Sequence, residues 1–531
     1  VEERNRGVER FDLAPVTASD GSGLPYELWR GVDVAALDVL IGKLDIPARS
    51  PAIQALWRRL ITSSVSGPDG GTANSAFTLL RADALTRSGL MSEAAAVLKA
   101  DPSTSQVPAL GIIAARIDIG LGQAERGCES AKAAMARRAD LPKRLQSEAV
   151  LITGYCAAVA GNPQAAGLAA ELARDTGSTD LAGIAALDAI AAGQKLPTKG
   201  LKAVSLLQYR AYELAGGVDV RDVLDRGEPS LFAVLARDSS VEPRLRLAAG
   251  EAAARTSSIA PSALGDLYRE LGTAPTLEPP SAAAGSKPEP SLHRASLFKS
   301  AETERAPLKK VRILRALLDD ARRAGLYLQM LELLAPSADT LQPVPEIGWF
   351  AETGVEIGLA SGNVARARQW AALGGAIPGD GLLRHWFALI DLIDPALEAE
   401  RGRSLAALED LARRGRLPPD LLHRLATVLD ANDIDVPLAL WDSVNKAPQP
   451  AGGHLPETGV LTALQDASKK KEFGRTVLLV MQAMGPNGAE GAHIIALGDS
   501  IRALRRAGLD GDARRLSVEA LFAQWPRSVA N

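Results

Sequence analysis

Few side chains in this chain are suited to covalent, redox or metal chemistry. It has two cysteines, Cys128 and Cys156, and five histidines, His293, His385, His423, His454 and His493. A reactive thiolate needs a neighbour that lowers its pKa, and a redox pair usually stands as CxxC. There is no CxxC, and no histidine lies near either cysteine. No two histidines stand at metal-ligand spacing, and HExxH is absent. The sequence also lacks a GxxxxGK[ST] phosphate loop, a strand-GxGxxG-helix unit and a GxSxG elbow. The expectation is a non-catalytic protein with no catalytic residues, no metal ligands and no bound cofactor. Acidic residues such as Asp319-Asp320 and Glu398–Glu400 read as solvated helix faces with i,i+4 pairing. The alternative is a helical enzyme whose scattered carboxylates form no motif.

The cysteines fit a structural bond better. Asp140-Leu-Pro142 divides the helical stretches that carry them. If those two helices pack antiparallel, Cys128 and Cys156 lie at similar height and can bridge. Closing that loop would stabilise the fold by roughly 3–4 kcal/mol on the entropic model. A lone pair of this kind points to an oxidising compartment. The competing reading is two small buried residues at helix contacts. The basic doublets Arg58-Arg59, Arg137-Arg138, Arg413-Arg414 and Arg505-Arg506 read as late-helix cations that complement the helix dipole. Trp29 and Trp57 read as apolar caps over the first helices. The run Lys469–Lys471 reads as a solvated turn.

These residues must be positioned by helices. Hydrophobic residues make up 47% of the chain but aromatics only 4%, so the apolar content is mainly Ala, Leu and Val. Small helix formers favour closely packed helices. No segment alternates with period two, so strand is expected to be essentially absent. A formal net charge of −3 argues against a nucleic-acid partner, which calls for a basic stripe. No apolar run reaches the roughly 18 residues of a membrane span. The first residue is Val1, consistent with a removed signal peptide, a removed anchor or a trimmed chain.

At 531 residues the chain exceeds one ordinary core, so it is either several domains or an array that grows by stacking. Residues 1–23 read as a flexible lead-in. Helices are predicted over Val34–Lys43 and Pro51–Thr62, the second capped by Ser50. Helical pattern then fills an N-terminal array over 24–272. The Pro-rich stretch 273–291 reads as a loop or linker, and a C-terminal array fills 292–531. The last helices are predicted near Gly459–Ser468, Arg475–Met484, His493–Ala507 and Gly511–Gln524.

Glycine turns recur with one spacing. A Gly ends a helix, and five residues later a small residue sits in the next: Gly89/Ala94, Gly122/Gly127, Gly161/Ala166, Gly362/Ala367 and Gly508/Ala513. The Gly supplies the left-handed conformation that stops one helix, and the small residue lets the next approach closely. Gly362-Asn-Val-Ala-Arg-Ala367 and Gly161-Asn-Pro-Gln-Ala-Ala166 resemble the turn of the tetratricopeptide repeat. The Gly89-to-Gly122 interval is close to that family's ~34-residue period. The next interval is longer, and the repeat's aromatic positions are mostly aliphatic here. The resemblance implies an irregular right-handed α-solenoid of antiparallel helix pairs with local contacts and a concave groove for a peptide or a partner helix. It implies a non-catalytic scaffold for other proteins, or for copies of itself in a ring or array. The Ala-rich texture also looks like envelope proteins of GC-rich Gram-negative bacteria. The expectation is therefore a periplasmic component of a large envelope assembly, a flagellar motor's periplasmic ring being one example. A cell-wall enzyme subunit and a cytoplasmic adaptor of tetratricopeptide type are the alternatives.

Overall fold

The computed structural model describes residues 23–71, 75–195, 203–218, 220–272, 290–373, 383–394, 401–450 and 452–527. The expected lead-in and the Pro-rich stretch lie outside these, apart from Gly23, Pro290 and Ser291, as does Glu398–Glu400. Among the described residues the fold is all-α, with 28 α-helices and no strand. The only β pairings there are the isolated bridges Asp33–Asp69, Val204–Gly227 and His454–Ala492.

The first half holds α1 (Val34–Gly42), α2 (Pro51–Thr62), α3 (Ala76–Arg87), α4 (Met91–Ala100), α5 (Pro108–Gly120), α6 (Ala124–Met135) and α7 (Lys143–Val159). It continues with α8 (Pro163–Asp175), α9 (Leu181–Ala192), α10 (Leu206–Leu214), α11 (Val220–Arg226), α12 (Pro229–Arg237), α13 (Pro243–Arg255) and α14 (Pro261–Leu271). The second half opens with α15 (Pro290–Thr303), α16 (Pro307–Arg323), α17 (Tyr327–Asp339), α18 (Ala351–Ala360), α19 (Val364–Leu373), α20 (Trp386–Ile393) and α21 (Arg401–Arg413). It ends with α22 (Pro419–Ala431), α23 (Leu438–Lys446), α24 (Val460–Lys469), α25 (Phe473–Met484), α26 (Gly488–Gly491), α27 (Ile494–Arg506) and α28 (Asp510–Phe522).

Local sequence starts and stops these helices. Proline opens α2, α5, α8, α12, α13, α14, α16 and α22, where its missing N–H costs nothing. Ser50 caps α2 by accepting from the Ile53 amide at 3.2 Å, and Asn162 caps α8 by accepting from Ala165 at 3.1 Å. Many turns close with the amide-to-carbonyl bond that spans five residues in reverse, as in Leu90 to Leu85 (2.9 Å) and Gln123 to Asp118 (2.8 Å). Consecutive helices pack in pairs, α5 on α6, α7 on α8, α12 on α13 and α18 on α19, which is compatible with a solenoid.

The expectation of purely local contacts is wrong. Helix α2 packs on α28 and α25, α12 on α3 and α4, and α14 on α17. The first and last parts of the described chain therefore meet. The amide of Gly474 in α25 donates to the Leu28 carbonyl at 2.8 Å, and Arg59 of α2 pairs with Asp512 of α28. Trp29 and Trp57 both pack over α3, as caps on the first helices, and Trp29 also covers α25. Trp29 meets Phe77 edge-on at 5.5 Å and covers the backbone of Gly474, while the fully buried Trp57 donates to Ser88 Oγ at 2.9 Å. Residues 525–527 are tied down as well. The His385 ring stacks on Trp525 and meets the Pro526 carbonyl at 2.6 Å, and Arg527 reaches the buried Glu356 at 2.7 Å. One contiguous hydrophobic core runs from Leu24 to Trp525, and α7–α9 add a small second one.

Packing also continues across the Pro-rich stretch. Helix α14 packs on α15, and Glu251 of α13 meets Arg294 of α15 through two bonds of 2.8 and 2.5 Å. Both side chains are buried, at 3% and 7% exposure. Tyr268 donates to Glu251 at 2.7 Å, and Asp320 accepts from Arg294 at 2.9 Å. Asp320 is therefore a bridging residue and not part of a solvated face. Burial opposes the Arg294 charge, but Glu251 more than offsets it and holds its pKa above the ordinary guanidinium value. Burial, reinforced by Glu251, pushes Tyr268 well above the usual phenol range.

Breaking a buried pair from one side strands a charge and costs about 3–5 kcal/mol. Arg294→Met should lower the unfolding free energy from chemical denaturation by that much, and Glu251→Met/Arg294→Met should lose less than the single variant. Additive losses would contradict this account of the pair. A second expectation concerns Glu519 of α28, half-buried where the chain ends meet. It accepts from the Ala52 amide at 2.8 Å and from Ser50. Burial pushes its carboxyl up from 4.5 to about 7, against the lowering effect of Ser50 and Ala52 and with help from Glu490. Folding therefore favours the protonated form. That contribution is complete below the ordinary carboxyl value and is lost as pH rises through about 7. Thermal melts of the wild type should lose stability relative to Glu519→Gln between those limits; parallel pH profiles would contradict this.

Candidate functional site

The residues singled out in the sequence lie in two settings. Cys128 on α6 and Cys156 on α7 form a disulfide with Cα atoms 5.5 Å apart, stapling one helix pair to the next. The glycines of the five turns all have positive φ: +77° at Gly89, +81° at Gly122, +76° at Gly161, +72° at Gly362 and +83° at Gly508. Their small partners Ala94, Gly127, Ala166, Ala367 and Ala513 are buried. Close approach is the reason. A Cβ on Gly127 would meet the Ala115 carbonyl at 2.9 Å and the Ile119 side chain at 2.7 Å. A Cβ on Gly358 would meet the Ala367 amide at 2.7 Å.

The basic doublets separate by role. Arg413, the last residue of α21, and Arg414, just past it, pair one turn back with Glu409 and Asp410. Arg58 instead reaches Glu93, and Arg505 reaches Asp433 at 2.6 Å, so these link helices. Arg137 and Arg138 follow the end of α6 and do not lie late within it; Arg137 donates to the Gln106 carbonyl at 2.6 Å. The histidines also serve local structure. His423 meets the Pro448 carbonyl at 3.0 Å, and His493 caps α27 by accepting from the Ile495 amide at 3.3 Å. Among the described residues no group of His, Cys, Asp and Glu is placed to hold a metal ion.

A second setting, absent from the sequence reading, is a closed circuit of helices. Helix α3 packs on α5, α5 on α7, α7 on α9, α9 on α10, α10 on α12, and α12 back on α3. They surround a cavity of about 530 Å³. One face of α7 supplies Arg144, Ser147, Glu148 and Leu151, at the spacing of a helix side. Arg116 enters from α5 and Arg87 from α3. The starts of three helices converge as well, through Asp180 before α9, Ser205 before α10 and Glu228 before α12. Ile46, Met91, Leu206, Leu207 and Pro229 complete an apolar part of the wall.

Most charges in this cavity already have partners. Arg116 bridges Asp83 at 3.0 Å and Glu148 at 3.2 Å. Burial opposes its charge, and those two acids raise its pKa despite that. Asp180 accepts from the Gly183 amide and from Gln208, both at 2.7 Å. Arg87 donates to the carbonyls of Ile41 and Leu44 at 3.4 and 3.3 Å. Arg144 and Glu228 differ: among the described residues neither side chain has a hydrogen-bond or ion-pair partner. Both side chains are exposed to solvent. Protein packed near the Glu228 carboxyl raises its pKa, with Arg116 lowering it and Asp180 adding to the rise.

A wider groove of about 820 Å³ runs along α4, α5 and α6 and is bounded by the Asp118–Arg126 pair. No family model, curated protein or solved structure matches the chain.

The Gly127 geometry has a testable sign. Gly→Ala inside an open helix stabilises by about 1 kcal/mol. Gly127→Ala should instead destabilise by about 1–3 kcal/mol, as overpacking does. Gly161→Ala would meet no neighbour but needs φ +76°, so it should lose stability through backbone strain alone. A stabilised Gly127→Ala in chemical denaturation would contradict the close approach of α5 and α6.

Proposed function

We propose that the protein is a non-catalytic scaffold for other proteins, built from tetratricopeptide-like helix pairs and working in the periplasm as part of a bacterial envelope assembly. The observation that carries the scaffold reading is the set of large apolar side chains on outward helix faces. Leu168 and Leu172 lie one turn apart on α8, at 67% and 40% exposure, and Leu181 opens α9 at 72%. On α23, Leu438 and Trp441 share a face at 85% and 38%. Exposed apolar residues grouped along helix faces are the usual mark of a surface that a partner covers. Elsewhere in the fold the buried carboxylates Glu251 and Glu356 bind helices together.

The Cys128–Cys156 bond supports the oxidising compartment. Glycine turns with a buried small residue five positions on support the tetratricopeptide likeness. No helix among the described residues is long and apolar enough to cross a membrane.

Two measurements test this reading. Crosslinking in the native cell, followed by affinity capture, should recover the same partner with the wild type and lose it with Leu168→Glu/Leu172→Glu or with Leu438→Glu. Unchanged capture by both variants would contradict the assignment of these faces. Non-reducing mass spectrometry on protein from its native source should find the linked peptides of Cys128 and Cys156. Free thiols there would remove the support for the periplasm.

A further inference from the structure

Two helices of the second half leave faces of opposite charge open. On α23, Leu438 and Trp441 are exposed at 85% and 38%, with the exposed acids Asp435 before Leu438 and Asp442 one turn after it. Leu438 and Asp442 thus stand about 6 Å apart along the helix axis. Lys446, a cation, lies a further turn on, at the helix end. Arg505 is engaged with Asp433 and Asp510. On α16, Leu308, Lys309 and Arg312 are exposed along one side, Leu308 at 45%, and the exposed Arg305 precedes the helix. Positions 305, 308, 309 and 312 have the spacing of one helix side. The neighbouring Glu304 turns its carboxylate to the amides of Arg305 and Ala306, each at 2.8 Å. The two faces share one order of side chains. Each leucine stands three residues after one charge and four before the next, Asp435, Leu438 and Asp442 against Arg305, Leu308 and Arg312, with the signs reversed.

We propose that a second copy of this chain covers the α23 face with its own α16 face, the two leucines meeting and Asp435 and Asp442 pairing with Arg305 and Arg312. Charge complementarity chooses this occupant. Two α23 faces would bring carboxylates together, and two α16 faces would bring cations together, so like faces repel and unlike faces attract. Each copy carries both. Trp441 stands next to Asp442 in the chain, so its indole reaches the arginine that Asp442 holds and adds a cation–π contact. Tryptophan and arginine are the residues most often central to such contacts. A helix as short as α23 buries little area, so the contact is weak and falls with salt. The inference rests on the scaffold reading, because it names the partner of a face which that reading assigns to docking.

Sedimentation velocity of the full chain between about 1 and 500 μM tests it. The wild type should associate as concentration rises, and about 0.5 M salt should weaken that association. Asp435→Lys/Asp442→Lys and Arg305→Glu/Arg312→Glu should each raise the dissociation constant by about tenfold or more. All four positions are exposed, so both variants should keep the wild-type melting temperature. An equimolar mixture of the two variants should recover association, because the reversed α23 face of one then meets the reversed α16 face of the other. A disturbed fold cannot produce recovery on mixing. A wild type that stays monomeric throughout, association that neither variant changes, or a mixture no stronger than its components would overturn the proposal. If the monomeric wild type still captures a partner in the cell that Leu438→Glu loses, the self-contact alone fails and the scaffold reading stands. If Leu438→Glu leaves capture unchanged as well, both fail for this face.

Discussion

The second helix, α2, packs against the last, α28, and much of the architecture follows from that contact. A stack of helix pairs leaves one uncovered face at each end, which must be capped, paired with another molecule or folded back. Here α2 lies on α28 and α25, with Trp29, Trp57 and Trp525 in the contiguous core. Closure explains why a chain with only 4% aromatics keeps several of its tryptophans fully or nearly fully buried near the seam. It also explains the polar contacts there, Arg59 with Asp512, the Ala52 amide with Glu519, and Lys43 with Glu457 at 3.4 Å. Each links a residue near the chain's start to one near its end.

Smaller circuits repeat the theme. The path through α3, α5, α7, α9, α10 and α12 returns to its start around a half-open cavity. Protein packed about its rim raises the Glu228 carboxyl pKa although that side chain is exposed to solvent. The Glu251–Arg294–Asp320 network joins the segments on either side of the Pro-rich stretch by a geometry that tolerates little displacement.

The features legible in the sequence are those set within one helix or one turn. Ser50 before Pro51 marks a start, and Gly122 with Gly127 marks a turn with a close approach, because both effects act over a few residues. Turns without glycine were hidden. Ser257, Asp433 and Lys471 hold positive φ values of 53°, 54° and 57° in the same type of turn. Gly325 is followed five residues on by the buried Met330 and not by a small residue, so the spacing rule misses it. The cysteine pairing was legible because the helices are adjacent. The cavity was not. Asp180 and Ser205 are readable as caps, and Pro229 as a helix start, but their convergence needs α12 to return to α3. No local pattern encodes that return. Asp320 shows the same limit, since its partner Arg294 lies a helix away and i,i+4 reasoning offered it a solvated face.

Closure is also the property most directly open to measurement. Small-angle X-ray scattering of the full chain in dilute solution reports its overall size. If the ends of the array meet, the radius of gyration should fall near the about 24 Å to which a compact chain of this length scales. Helix pairs stacked about 10 Å apart in an open line would give a value above ~35 Å, and that result would contradict the closed array.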